Sequence, residues 1–280
     1  MARRPLFLLA LAFASAATAF VVWLAAFVLP GGRELDGRAL ETFTGVASPP
    51  LKPSIHGVAL LAEPLPFATV AAALIALALL RRRWLMAAVV PMILLSANLV
   101  TQVLKPALAD PRIVDLRGVA TAYPGSWPSG HSTAAMSLAL CLVLVAGPRL
   151  RALAALAGAG YAIAVGYALV ALGFHLPSDV LGGYLVASTF TLLGAATLAA
   201  LEAPRPARSA RTADAPALLS VPALTGFAAG LLVAAGAAVL VRAPSAPADA
   251  FDHPIAVLAG IGIAGLGLAL TTGLALVLRR

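Results

Sequence analysis

Three polar clusters in this chain carry side chains suited to phosphate chemistry. The first is Lys105 with Arg112; either cation alone is explained by a long side chain reaching from a helix end toward headgroups. The second is Trp127-Pro128-Ser129-Gly130-His131. Pro128 and Ser129 are ordinary helix-start residues, and a structural cap is one reading of them. The same arrangement aims the free amides of Gly130 and His131 outward at the positive end of a helix dipole, which suits a phosphate. Gly130 also leaves room for close backbone approach. The third is Gly173-Phe174-His175-Leu176-Pro177-Ser178-Asp179. Pro177 fits the first turn of a helix, which puts Asp179 about one turn in and His175 just ahead of it. The dipole alone favours a carboxylate there by about 0.3–1 kcal/mol, so Asp179 also has a purely structural explanation. The spacing nevertheless lets Asp179 hold one ring nitrogen of His175 protonated, leaving the other as a nucleophile.

Each cluster is weak alone; their chemistry is complementary. Two cations and a ring of helix-start amides can hold a phosphoryl group, one oriented histidine can attack phosphorus, and a second can protonate the departing oxygen. Phosphoryl transfer asks mainly for such positioning and electrostatic stabilisation. No cluster of carboxylates suggests a divalent metal, so a metal-free mechanism without a cofactor is expected.

The elements that must position these residues follow from composition. Of 280 residues, 61% are hydrophobic and only 11% charged, against roughly 25% charged in a soluble fold. The mean hydropathy is +0.99. Lipid must solvate most of this surface. The single cysteine, Cys141, excludes a disulfide framework and cysteine-based metal sites. Eight apolar stretches are long enough to cross a hydrocarbon core of about 30 Å: roughly 6–29, 58–80, 84–104, 131–147, 152–173, 178–200, 218–241 and 254–278. The first runs past the length of a cleavable signal segment and reads as a retained span. Each span must satisfy its own backbone polar groups, so helices are expected throughout and strand-type alternation is absent. The expected architecture is an all-α polytopic membrane bundle. Residues 1–200 form a six-span core, 201–217 a cytoplasmic linker, and 218–280 a terminal two-span hairpin.

Charge sets the orientation. One set of loops holds twelve arginines (at 3, 4, 81–83, 149, 151, 205, 208, 211, 279 and 280) against Glu202 and Asp214. The other set mixes seven cations with nine carboxylates. Short basic loops stay in the cytoplasm, so both termini are expected inside and all three polar clusters at the outer face. The basic balance, with a pI near 10.8, is then a topology signal, and nucleic acid is not an expected partner.

The clusters resemble the signatures of the type 2 phosphatidic acid phosphatase superfamily of membrane phosphatases. Those read Lys-x6-Arg-Pro, Pro-Ser-Gly-His and Ser-Arg-x5-His-x3-Asp. Here they stand as Lys105 to Arg112 with six residues between, Pro128-Ser129-Gly130-His131, and His175-x3-Asp179. The resemblance covers about residues 58–200, with the motifs in 84–200. It implies that His175 is the nucleophile, forming a phosphohistidine, and that Asp179 orients it. It implies His131 as general acid and then base for water, with Lys105, Arg112, Ser129 and Gly130 binding phosphate. The implied partner is a lipid phosphate of polyprenyl pyrophosphate or phosphatidate type, handled at the outer face of a cytoplasmic membrane. Two departures stand out: Ile113 replaces the usual proline, and Ala168-Leu169 replaces Ser-Arg, so one clamping arginine is missing. Arg117 is the nearest alternative cation. Without a replacement, the site is that of an attenuated enzyme or of a lipid-phosphate binder. A small transporter is a third reading, disfavoured because paired charges in mid-membrane are lacking.

Other polar residues receive plainer expectations. His56 and His253 read as incidental loop residues, and Asn98 and Gln102 as interhelical hydrogen bonds. The glycines between Gly260 and Gly265, and the Gly226–Gly230 pair, read as close helix packing. Arg81-Arg82-Arg83 reads as a topology anchor, and Cys141 as buried and inert.

Overall fold

The computed structural model describes residues 3–46, 52–108, 112–116, 119–123, 126–202 and 252–279. Its helices are α1 (Arg3–Phe27), α2 (Gly32–Val46), α3 (Lys52–Ala59) running into a 3₁₀ turn (Leu60–Ala62), α4 (Pro64–Leu80), α5 (Trp84–Ala107), α6 (Gly130–Val145), α7 (Arg151–Ala171), α8 (Pro177–Leu201) and α9 (Pro254–Val277). Five of them (α1, α5, α7, α8 and α9) are long and apolar enough to cross a membrane, and α3 with α4 adds a sixth if that bent pair is one span. The protein is a multi-pass helical membrane protein. Proline opens α4, α8 and α9 within their first turn, where its missing amide has no intrahelical acceptor to lose.

The short helix α6 is the axis of the bundle. Every residue from Ser132 to Cys141 is buried, so α6 has no polar face and packs against α4, α5, α7, α8 and α9. A helix apolar on all sides is one surrounded by protein, and Cys141 lies fully inside it. Around it, α8 packs against α1, α5 and α6, tied to α1 by Ser15 Oγ donating to the Leu185 carbonyl at 3.0 Å. Helix α9 joins the same hydrophobic cluster through Ile263, Leu274 and Ala275. The Tyr167 hydroxyl, on α7, donates to the Gly260 carbonyl of α9 at 2.7 Å. Its expected companion at 218–241, with Gly226 and Gly230, lies outside the described residues, as does most of the expected linker 201–217.

The two ends of the bundle differ in charge. At one end, Arg81 and Arg83 donate to the Val145 carbonyl at the end of α6, at 3.1 and 3.4 Å, and Arg151 donates to the Leu278 carbonyl at 3.0 Å. Arg4, Arg83 and Arg279 all lie close enough to Arg151 for their charges to repel. Through their hydrogen bonds Arg81, Arg83 and Arg151 satisfy carbonyls at the C-terminal ends of α6 and α9, where the dipole favours a cation. Helix α5 then runs from this end to Lys105 at the other.

Several expectations are corrected. The stretch between the first two expected spans, 30–57, contains α2 and most of α3. The span read as 58–80 is broken: the segments on either side of Glu63 are bent by 50°, and the straight part begins at Pro64. The long connection after Lys105 holds a two-stranded antiparallel hairpin, β1 (Arg112–Leu116) and β2 (Val119–Tyr123), with Arg112 opposite Tyr123. It lies outside the spanning helices, where strands violate no membrane rule. Asn98 donates within its own helix, to the Leu94 carbonyl at 2.8 Å. Among the α9 glycines, Gly262 and Gly265 face open space; the close approach is at Gly267, where an added Cβ lies 2.8 Å from Ile163. His56, read as a loop residue, lies in α3, and its ring meets Phe174 edge-on at 6.5 Å.

Candidate functional site

The site is built where the starts of α6 and α8 meet the end of α5. Ser129 caps α6, its Oγ accepting from the Ser132 amide at 3.3 Å, while the Thr133 amide bonds the Ser129 carbonyl at 3.0 Å. This leaves the Gly130 and His131 amides at the first positions of α6, where no intrahelical acceptor exists. The Ser129 amide itself donates to the Asp179 carbonyl at 2.9 Å. That single bond joins the two helix starts, and with them the segments carrying His131 and His175.

The second histidine arrives by a helix stop followed by a helix start. Gly173, with φ of +74°, ends α7 in the left-handed region, and the Phe174 and His175 amides fold back on the Leu169 carbonyl at 2.9 and 3.4 Å. Pro177 then opens α8. Asp179 is fully buried one turn in. Its Oδ2 accepts from the Leu176 amide at 3.0 Å and stands 3.4 Å from His175 Nδ1. With Nδ1 turned to the carboxylate, Nε2 is the nitrogen left for a substrate.

Close approach of α6 and α8 depends on Gly182 and Gly183. A Cβ on Gly183 falls 2.7 Å from the Ser129 carbonyl oxygen and 3.0 Å from the Thr133 amide nitrogen; one on Gly182 falls 2.5 Å from the Trp127 indole nitrogen. The obstacle at Gly183 is backbone, which cannot swing aside. Gly183→Ala is therefore expected to destabilise the protein by about 1–3 kcal/mol and to lower any turnover about 10²-fold by separating the two histidines. Melting in detergent and a rate assay check this, with Gly262→Ala, which enters open space, as the silent control. Unchanged melting and rate in Gly183→Ala mean that the close approach is not needed.

Lys105 comes from the last turn of α5. An added Cβ on Gly130 lies 3.5 Å from Lys105 Nζ and 3.4 Å from Gln102 Nε2, so both side chains reach the start of α6. Lys105 is also near enough to Asp179 for their charges to interact. One turn deeper, the Thr101 and Thr133 hydroxyls meet at 3.1 Å and lock α5 to α6. The backbone of Arg112 opens β1, while its side chain and the whole of Arg117 lie outside what is described. Leu169, where the related signature has arginine, is 1% exposed and belongs to the apolar core.

Three contributors were missed from the sequence. Gln102 was assigned to helix packing, but its amide stands beside Gly130. Asp36, one of the nine carboxylates counted in orienting the chain, sits on α2 and accepts from the Ser178 amide at 3.1 Å and the Ser178 hydroxyl at 2.5 Å, holding the start of α8 from a point 142 residues away. Glu63 faces His131. No local spacing marks any of them. Among the described residues, no group of three or more His, Cys, Asp and Glu is arranged to hold a metal ion.

Comparison with known proteins agrees with this architecture. Residues 84–202 match the family model described as the PAP2 superfamily. Among solved structures, the chain is similar to the first transmembrane PAP2 type phosphatidylglycerolphosphate phosphatase from Bacillus subtilis. The identity is 20% and the TM-score 0.59, covering 69% of this chain and 98% of that one. No curated protein matches the chain by sequence. The matched region runs from the start of α5 to the end of α8, and the fold is shared over nearly the whole of that bacterial protein, so the chain is a multi-pass membrane protein whose α5–α8 region is similar to the PAP2 superfamily.

Proposed function

We propose that the protein is a lipid phosphatase that cleaves a phosphomonoester or pyrophosphate through a phosphohistidine. The observation that carries this reading is the bond from the Ser129 amide to the Asp179 carbonyl, which brings both histidine-bearing helix starts to the end of the bundle where Lys105 emerges. Lys105, Arg112 and the Ser129–Gly130 segment hold the phosphoryl oxygens. His175 Nε2 attacks phosphorus; a P–N bond forms, and the P–O bond to the lipid breaks with its electron pair on the lipid oxygen. His131 protonates that oxygen. Water then attacks the phosphohistidine, His131 takes the water's proton, and the P–N pair returns to His175. Asp179 holds Nδ1–H throughout and balances the cationic ring.

The substrate reading is supported by the membrane fold and by the activity for which the similar Bacillus protein is named. A site at the end of a spanning bundle, at headgroup depth, suits a phosphate whose lipid tail stays in the bilayer. The clustering of arginines at the opposite end supports a topology with both termini in the cytoplasm and the site at the outer face of the cytoplasmic membrane. We further take α9, which leans on α7, as belonging to a terminal unit after the six-span core. Purified protein is expected to release phosphate in EDTA from at least one of phosphatidate, phosphatidylglycerolphosphate and a polyprenyl pyrophosphate. Strict dependence on a divalent metal contradicts the mechanism, and no release from any of them contradicts the activity. The burial of Leu169 favours one second reading: with no guanidinium at that position, the protein binds lipid phosphates and turns them over slowly or not at all.

A further inference from the structure

Glu63 stands at an unusual place for a carboxylate. It interrupts a stretch that is otherwise apolar from Val58 to Leu80, at the point where the helix axis bends by 50°. An acidic residue at the end of a membrane span is cheaper to keep than one at its centre, yet this one is turned toward a histidine. Glu63 is the N-cap of α4, yet its side chain makes no capping bond. Its Oε1 instead lies 3.2 Å from Nε2 of His131, 68 residues away. The 3₁₀ turn that delivers it is pinned from α7, where the Tyr161 hydroxyl donates to the Leu61 carbonyl at 2.9 Å. Pro64 holds the extended backbone at Glu63, with φ of −66° and ψ of 160°. The break in the span thus presents one carboxylate to one ring.

We infer that Glu63 is the positioning residue for His131, the counterpart of Asp179 for His175; the role rests on the phosphatase reading above. The imidazolium donates Nε2–H to Glu63, which fixes the plane of the ring and leaves Nδ1–H directed at the oxygen of the departing lipid. When the P–O bond breaks, its electron pair stays on that oxygen, which takes the Nδ1 proton. The neutral ring, still held through Nε2–H, then accepts a proton from the attacking water at Nδ1. Two carboxylate–histidine pairs, one on each side of the phosphorus, serve the two proton-sensitive steps.

A role in proton delivery has a signature that a structural role lacks. An alkyl phosphate leaves poorly and needs its oxygen protonated, whereas p-nitrophenyl phosphate leaves as a stable anion and needs little help. Glu63→Gln, which keeps the shape and removes the charge, is expected to slow release from a lipid phosphate about 10–100-fold, part of the 10²–10⁴ a general acid supplies, and release from p-nitrophenyl phosphate about threefold or less. The ratio of the two rates in one preparation does not depend on how much of the variant is folded. Glu63→Ala is expected to show the same ratio. Equal losses on both substrates, or no loss on either, overturn the role of Glu63 while leaving the phosphatase reading intact. Wild-type protein silent on both substrates overturns the phosphatase reading and this role with it.

Discussion

His175→Ala is expected to reduce phosphate release by about 10⁴-fold or more, because in the proposed mechanism it removes the atom that bonds to phosphorus. The fold has little reason to change. The His175 ring lies at the rim of the site, its side chain 12% exposed, and its contact is to Asp179, whose carboxylate keeps the Leu176 amide when the ring is gone. The variant should therefore melt within about 1 kcal/mol of the parent. The same protein offers a direct chemical readout. A P–N linkage survives alkali and is lost in acid, so phosphoenzyme quenched from the parent should show that behaviour and be missing from His175→Ala. Near-parental turnover in the variant, or a phosphoenzyme that persists without His175, means that another group attacks phosphorus.

Asp179→Asn should be the next most damaging change, and for a reason separable from structure. One oxygen of Asp179 serves both the Leu176 amide and the His175 ring. An asparagine oxygen can occupy the same place and keep both of these contacts, while the negative charge is removed. In the proposed mechanism the ring turns cationic as Nε2 bonds to phosphorus, in a pocket where Asp179 is fully buried and a unit charge is poorly screened by water. Losing that counter-charge should cost on the order of 10³-fold in kcat, with a smaller effect on KM. Asp179→Ala should add a stability loss of about 1–3 kcal/mol, because the buried Leu176 amide then has no acceptor. Equal kcat in Asp179→Asn and the parent means that the carboxylate serves only as a helix cap, the purely structural explanation that its position already allows.

Much of the fold was legible in composition and hydropathy. Lipid exposure forces long apolar runs into helices, so α1, α5, α7, α8 and α9 follow from run length alone. The errors fall where that rule has no force. Outside the hydrocarbon, α2, α3 and the β1–β2 hairpin answer to local pairing and packing that run length does not record. At Glu63 one acidic residue and two nearby prolines break a span that a hydropathy average runs straight through.

The candidate site divides along the same line. His131 after a serine–glycine helix start, and His175 four residues before Asp179, are local patterns, because a helix start and an i to i+4 pair are defined by neighbours in the chain. From the chain alone came the membrane class, the chemical types at hand and the end of the bundle where they belong. Tertiary structure decided which residues serve them. Asp36 reaches Ser178, Glu63 reaches His131, Gln102 comes beside Gly130, and Gly183 admits Ser129. Each of these pairs joins residues far apart in sequence, and such pairing arises only when helix packing brings their faces together.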